Sequence, residues 1–132
     1  MAEALVLDGQ ALAHLLLGGD LGRTVRETVR SHPVHVTDQA QLDVVQELLR
    51  RRDGGGLERP QFELHLARLL EAPFIQHRSR ELLADACRRP SFRLGDALAI
   101  ELSERLEAPL VTTSSGLAGA WPRSWLVTVP KR

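Results

Sequence analysis

The chain has 132 residues, 43% hydrophobic and 26% charged, and its 17 basic and 17 acidic side chains balance to zero. That mix is globular, and the zero balance argues against coating nucleic acid through a large positive field while leaving local contact open. The single cysteine, Cys87, excludes an intramolecular disulfide, and no apolar run approaches the ~20 residues of a membrane span. Residues 1–5 lack the basic flank and apolar core of a secretory leader, so a cytoplasmic location and one domain over 1–132 are expected.

In chain order, Ala4-Leu5-Val6-Leu7 reads as a buried strand ending at Asp8. Residues 10–30 read as helical, with Gly18-Gly19-Asp20 ending one helix and capping the next. Val34-His35-Val36 is a short strand. Over 38–52, Leu42, Val45, Leu49 and Val44, Leu48 recur at helical spacing, and Gly54-Gly55-Gly56 ends that helix. Pro60 suits the first turn of a helix running to about Glu71, followed by a strand at Phe74-Ile75 and a helix over 79–88 stopped by Pro90. The most regular helix is 94–107, with Leu94, Leu98, Leu102 and Leu106 expected to pack inward. Strands at 109–112 and 125–129 complete the chain. Short unalternating strands separated by helices predict an α/β fold: a three-layer α/β/α domain around a mainly parallel sheet of four or five strands.

In such sheets ligands gather beyond the carboxyl ends of the strands. Asp8 follows the first strand and is suited either to that role or to capping the next helix. Asp96 opens the 94–107 helix, where the helix dipole favours its ionised form; it too reads as a cap or a site residue. Asp43 lies inside an apolar-periodic helix, a place that disfavours aspartate, with Glu47 one turn on. The bland alternative there is a solvated acidic face with Arg50 partnering Glu47. Taken together, acids from several elements supply the hard oxygens that Mg2+ or Mn2+ sites use.

The segments Ala4–Asp8, Leu42–Arg51 and Arg93–Thr113 stand out, the last with an Asp-Ala-Leu helix, an Ala-Pro turn and a Val-Thr strand end. Together they resemble the PIN-domain family, and most of all the ribonuclease toxins of VapBC-type toxin–antitoxin pairs. The resemblance spans essentially the whole chain. It implies a PIN-like fold in which Asp8, Asp43 and Asp96 hold Mg2+ or Mn2+ and activate water against an RNA phosphodiester. It also implies a small antitoxin partner and a homodimer, with no membrane. Where family members usually carry a fourth Asp, this chain has Ser114; Asp43 stands where they have Glu, and Gln10 where they prefer a small residue. Ser114, Glu47 and Thr112 are therefore secondary candidates. The alternative function is a weakened PIN-like module that binds RNA or protein without cutting.

Among the arginines, Arg50, Arg51, Arg88 and Arg89 are expected mainly to finish helices, with RNA phosphate contact as the alternative. The five histidines show no metal-ligand spacing, and Cys87 lacks the companions of a thiol nucleophile. Trp121 and Trp125 are expected to pack near the last strand, with stacking of one of them on a base as the alternative. A phosphoacceptor receiver domain is excluded because Asp8 has no adjacent acid and the only lysine is Lys131. No phosphate-binding glycine loop occurs, since the triple glycine follows a helix.

Overall fold

The computed structural model describes residues 2–129; Met1 and 130–132, Lys131 among them, lie outside the described residues. The elements are β1 (Leu5–Leu7), α1 (Gly9–Leu17), α2 (Gly19–Val29), β2 (Val34–Thr37), α3 (Asp38–Asp53), α4 (Arg59–Glu71) and β3 (Ile75–His77). A 3-10 turn (Ser79–Leu82) leads to α5 (Leu83–Ala86), α6 (Leu94–Leu106), β4 (Leu110–Thr112), α7 (Ser115–Ala120) and β5 (Ser124–Leu126). Five parallel strands lie in the order β3-β2-β1-β4-β5. The α/β/α arrangement with five short strands agrees with the sequence reading.

Alternate residues of β1 serve opposite faces, as the strand period requires. Leu5 and Leu7 enter the core beneath α1–α4, with Leu12, Val25, Val44, Leu48 and Phe62. Val6 enters the second core, with Leu110, Leu117 and the residues of α6. Such two-sided burial explains why the inner strands β1 and β4 read as apolar runs rather than alternations, while the edge strands β3 and β5 are largely exposed.

The leucine and valine patterns are only partly used. On α3, Val44 and Leu48 are buried, Val45 and Leu49 are half-buried, and Leu42 is 63% exposed. On α6, Leu98 and Leu102 are buried but Leu94, expected inward, is about half exposed because it opens the helix at the molecular surface. The expected helix over 79–88 splits into the 3-10 turn and the single turn of α5. Asp38 holds the start of that segment by accepting from the Ser79 amide at 3.0 Å and from the Ser79 hydroxyl. Helix α7 has no counterpart in the sequence reading.

The helix junctions follow local chemistry. Gly18, at φ 84°, ends α1 by donating to the His14 carbonyl and directly precedes α2. Gly22 lets the two helices close: a Cβ there would stand 2.2 Å from the His14 carbonyl oxygen. Strands β1 and β4 are neighbours although the chain runs from β1 outward through β2 and β3 before returning. The sheet thus reverses its winding between β1 and β4, and the crevice beyond their carboxyl ends is where this class of sheet admits ligands.

Candidate functional site

Asp8 follows β1 at that switch point and is 2% exposed. One carboxylate oxygen accepts from the Ala11 amide at 2.8 Å, capping α1; the other accepts from the Thr112 hydroxyl at the end of β4. Both readings of Asp8 therefore hold together: it is a cap, and its second oxygen is fixed across the switch point. Burial pushes the Asp8 carboxyl up to about 6, against the pull of Thr112 and the Ala11 amide, with nearby Asp96 adding to the rise.

Asp96 occupies the first turn of α6, whose start carries no side-chain cap, so the capping role does not apply. Burial raises its carboxyl above the usual range; the Arg93 charge opposes this and the Asp43 charge adds to it. Asp96 is thus the acid through which the other two are linked. Asp43 comes from α3, the helix launched by Thr37, whose hydroxyl accepts from the Ala40 amide at 3.0 Å. Gln39, one turn before Asp43, donates to its carboxylate at 2.9 Å.

Two glycines make this approach feasible. A Cβ on Gly95 would stand 3.1 Å from the Asp43 Oδ2, and one on Gly9 would stand 3.6 Å from the same oxygen. These are the chain neighbours of Asp96 and Asp8. The glycine beside each of those two acids therefore leaves room for the third. The pairs Asp8-Gly9 and Gly95-Asp96 are visible in the sequence, but their role needs the positions of α3 and α6.

A cleft of about 870 Å³ opens over these residues between α1, α3 and the start of α6. Asp43 and Asp96 line it, while Asp8 lies one residue behind Gly9, which does. Glu47, Arg50 and Arg51 line its other end. Thr112 and Ser114 stand outside its wall. The Ser114 amide donates to Thr112 Oγ1 at 3.1 Å and its hydroxyl accepts from the Leu117 amide at 3.2 Å, capping α7. Among the described residues, no three His, Cys, Asp or Glu side chains converge closely enough to hold a metal ion as they stand.

The remaining candidates lie apart from the cleft. Arg88 pairs with Asp85 on its own turn. Arg89 pairs with buried Glu101 at 2.5 Å and with Glu104 at 3.2 Å, and its guanidinium lies 5.2 Å from the Trp121 ring centre. Trp121 in turn donates to Ser103 Oγ at 3.0 Å, and Trp125 stands edge-on to His32. His35 and His77 hydrogen-bond each other at 2.8 Å, which satisfies His35 within the sheet. Gln39, Gly9, Gly95 and Arg93 are further site neighbours; the four-residue spacing of Gln39 and Asp43 and the glycines adjoining Asp8 and Asp96 are the signals of them in the sequence.

Among known proteins, the chain is 34% identical over 122 residues to Ribonuclease VapC3 of two Mycobacterium tuberculosis strains, covering 91% of this chain and 89% of the relative. No protein-family model matches it. In structure it resembles PAE2754 from Pyrobaculum aerophilum, with a TM-score of 0.69 and 21% identity over 96% of this chain and 92% of that one. It also resembles a chain of a toxin–antitoxin complex from Klebsiella pneumoniae, with a TM-score of 0.61 and 13% identity over 97% and 99%. The two structures share the fold; the identity to VapC3 along nearly the full length goes further. The chain belongs to the VapC-like family of PIN-domain proteins.

Proposed function

We propose that the protein is a divalent-metal-dependent endoribonuclease acting as the toxin of a toxin–antitoxin pair. The observation that carries the reading is the chain of acids Asp8, Asp96 and Asp43 at the β1–β4 switch point, in a protein 34% identical to a ribonuclease.

The donor set fits Mg2+ or Mn2+ by its chemistry. The carboxylates come from three elements, with Asp96 close enough to act on Asp8 and Asp43 close enough to act on Asp96, and hard oxygens are the ligands these ions prefer. Asp8, Asp43 and Asp96 would hold the ion; bound there, it would supply an acidified water and neutralise charge on a phosphoryl oxygen. The protein's own contribution is positional. Thr112 and the Ala11 amide fix Asp8, Gln39 orients Asp43, and the amide-rich start of α6 steadies Asp96. Arg93 at the mouth supplies a cation beside Asp96 that draws a phosphate toward the acids.

The partners in this reading are an RNA substrate, a small antitoxin that obstructs the cleft, and a second copy of the chain, in the cytoplasm. Exposed Leu94, which lines the cleft, offers apolar surface for a protein partner. No described helix is long and apolar enough to cross a membrane.

The test is Mn2+ titration by calorimetry, with RNA cleavage followed in parallel, against an Asp8→Asn/Asp96→Asn control. Equal absence of binding and cleavage in both proteins would end the reading. A binding module without cleavage is the second reading, favoured by Ser114, whose hydroxyl is committed to capping α7. Asp caps a helix as well as Ser does, so Ser114→Asp should fold normally. A gain of about 100-fold in metal-dependent cleavage, on the scale of a missing metal-site contact, would favour the binding module for the natural chain. Unchanged robust cleavage would favour the enzyme with three acids.

A further inference from the structure

The cleft is longer than a metal site needs. Its volume of about 870 Å³ is near the upper end for pockets that enclose a whole small-molecule ligand. Along its α3 wall, Asp43, Glu47 and Arg50/Arg51 follow one another at intervals of three or four residues, so they share one face of the helix. The sign of charge reverses along that face. At 1.5 Å of rise per residue, Arg51 lies about 12 Å from Asp43 along the axis.

Glu47 gathers the basic end. Arg50 donates to it through Nε at 2.9 Å and Nη2 at 2.6 Å, and Arg51 through Nε at 2.9 Å. The two guanidiniums hold Glu47 down at about 2, so the triad keeps a net charge of one positive. Each guanidinium has five N–H donors, and three on Arg50 and four on Arg51 are left over from these bonds. Arg52 does not join them: it pairs with Asp53 and lies 4.8 Å over the Phe62 ring. Helix finishing accounts for Arg52, yet it does not account for two arginines clamped by a glutamate on the cleft wall. No aromatic side chain other than His14 lines the cleft among the described residues, so bases have little stacking platform here and contact must go mainly through the backbone.

We propose that Arg50 and Arg51, held by Glu47, form a second phosphate subsite that fixes a single-stranded RNA about three nucleotides from the bond to be cut. The spacing follows from about 12 Å along α3 and about 3.4 Å of rise per nucleotide in a stacked strand. The substrate in this proposal rests on the ribonuclease reading, but the subsite itself is a binding claim. It gives the protein a minimum substrate length and a grip that ignores base identity.

The experiment measures anisotropy of a fluorescein-labelled uridine homopolymer of about 12 nucleotides, within the span of known single-strand sites, in EDTA and across a salt series. Arg50→Gln/Arg51→Gln should weaken binding about tenfold and flatten the slope of log K against log salt by about 0.7, the share of the one phosphate that the triad's single net positive charge neutralises. Glu47→Gln removes a negative charge from the same cluster and should tighten binding about threefold, a gain that a misfolded protein does not produce. Arginine-independent affinity and slope, or no RNA binding by any of the proteins, overturns the subsite. Transfer of the arginine dependence to an acidic polypeptide, with RNA unaffected, overturns it in favour of a protein partner. Arginine-dependent binding without cleavage in Mn2+ supports the subsite and removes the nuclease reading alone.

Discussion

Replacing Asp8 with Asn should make the protein more stable at neutral pH. Asp8 is 2% exposed, and its folded carboxyl titrates at about 6 against an ordinary 3.8. That difference corresponds to about 3 kcal/mol by which folding disfavours the charged form. Below about pH 4 the group is protonated in both states and this term is absent. As pH rises through the window from 3.8 to about 6, the folded protein holds a proton that the unfolded chain has released, so stability falls. Above about 6 the full burden remains. Asn keeps an oxygen for the Ala11 amide and presents an amide to Thr112 Oγ1, at some loss in bond quality, so a net gain of about 2 kcal/mol at pH 8 is expected. For a chain of this size that is roughly 8 °C in Tm. The assay is thermal and urea unfolding of parent and Asp8→Asn at pH 4, 6 and 8 in EDTA, repeated with Mn2+. The gap should open between pH 4 and 8 and narrow when Mn2+ binds the folded parent. A variant no more stable than its parent at pH 8, or a gap independent of pH, would refute the assignment of a strained, functional acid.

Three further outcomes follow from packing. Gly95→Ala should hold or raise stability by about 0.5–1 kcal/mol through helix propensity, yet it crowds Asp43 Oδ2 at 3.1 Å; melting curves alongside RNA cleavage should show activity falling about tenfold with the fold intact. Gly22→Ala places a Cβ 2.2 Å from the His14 carbonyl oxygen, forcing α1 and α2 apart, and urea midpoints should register a loss of about 2–3 kcal/mol. Arg89→Ala leaves buried Glu101 without its partner and uncovers Trp121; a loss of about 3 kcal/mol should accompany a shift in tryptophan emission, and unchanged emission would contradict the stacking.

The strands and major helices were legible because their signals are local: apolar runs of three or four residues, capping residues and glycine stops. What escaped was set by neighbours. Leu42 satisfies the helical period yet faces outward, because Ala40, Val44 and Leu48 already fill the face that meets the sheet. Helix α7, Ser-Gly-Leu-Ala-Gly-Ala, has one anchoring side chain, Leu117, and two glycines, too little pattern to read from a single chain. The acids could be picked out from their places at element ends, and Asp43 from its awkward position inside a helix. Their arrangement could not. That Asp96 links the other two, that Gly9 and Gly95 clear the space, and that Ser114 serves α7 depend on how separate elements pack together in the fold. The arginines divide for the same reason: 50 and 51 border the cleft while 88 and 89 brace α5 and α6, and their sequence contexts look alike.

The place of β1 in the sheet also governs when the site can exist. Its first neighbour, β2, begins at Val34, but the Thr112 hydroxyl that fixes Asp8 lies 104 residues downstream. Synthesis delivers the chain from its N-terminus, and contacts this distant in sequence form late. The N-terminal portion can gather α1–α4 on one face of β1 and β2 while β1 still has an open edge on the β4 side. A ribosome-bound or truncated chain that stops before β4 therefore carries Asp8 without the strand that orients it, and the acidic centre is assembled only after Thr112 has been made.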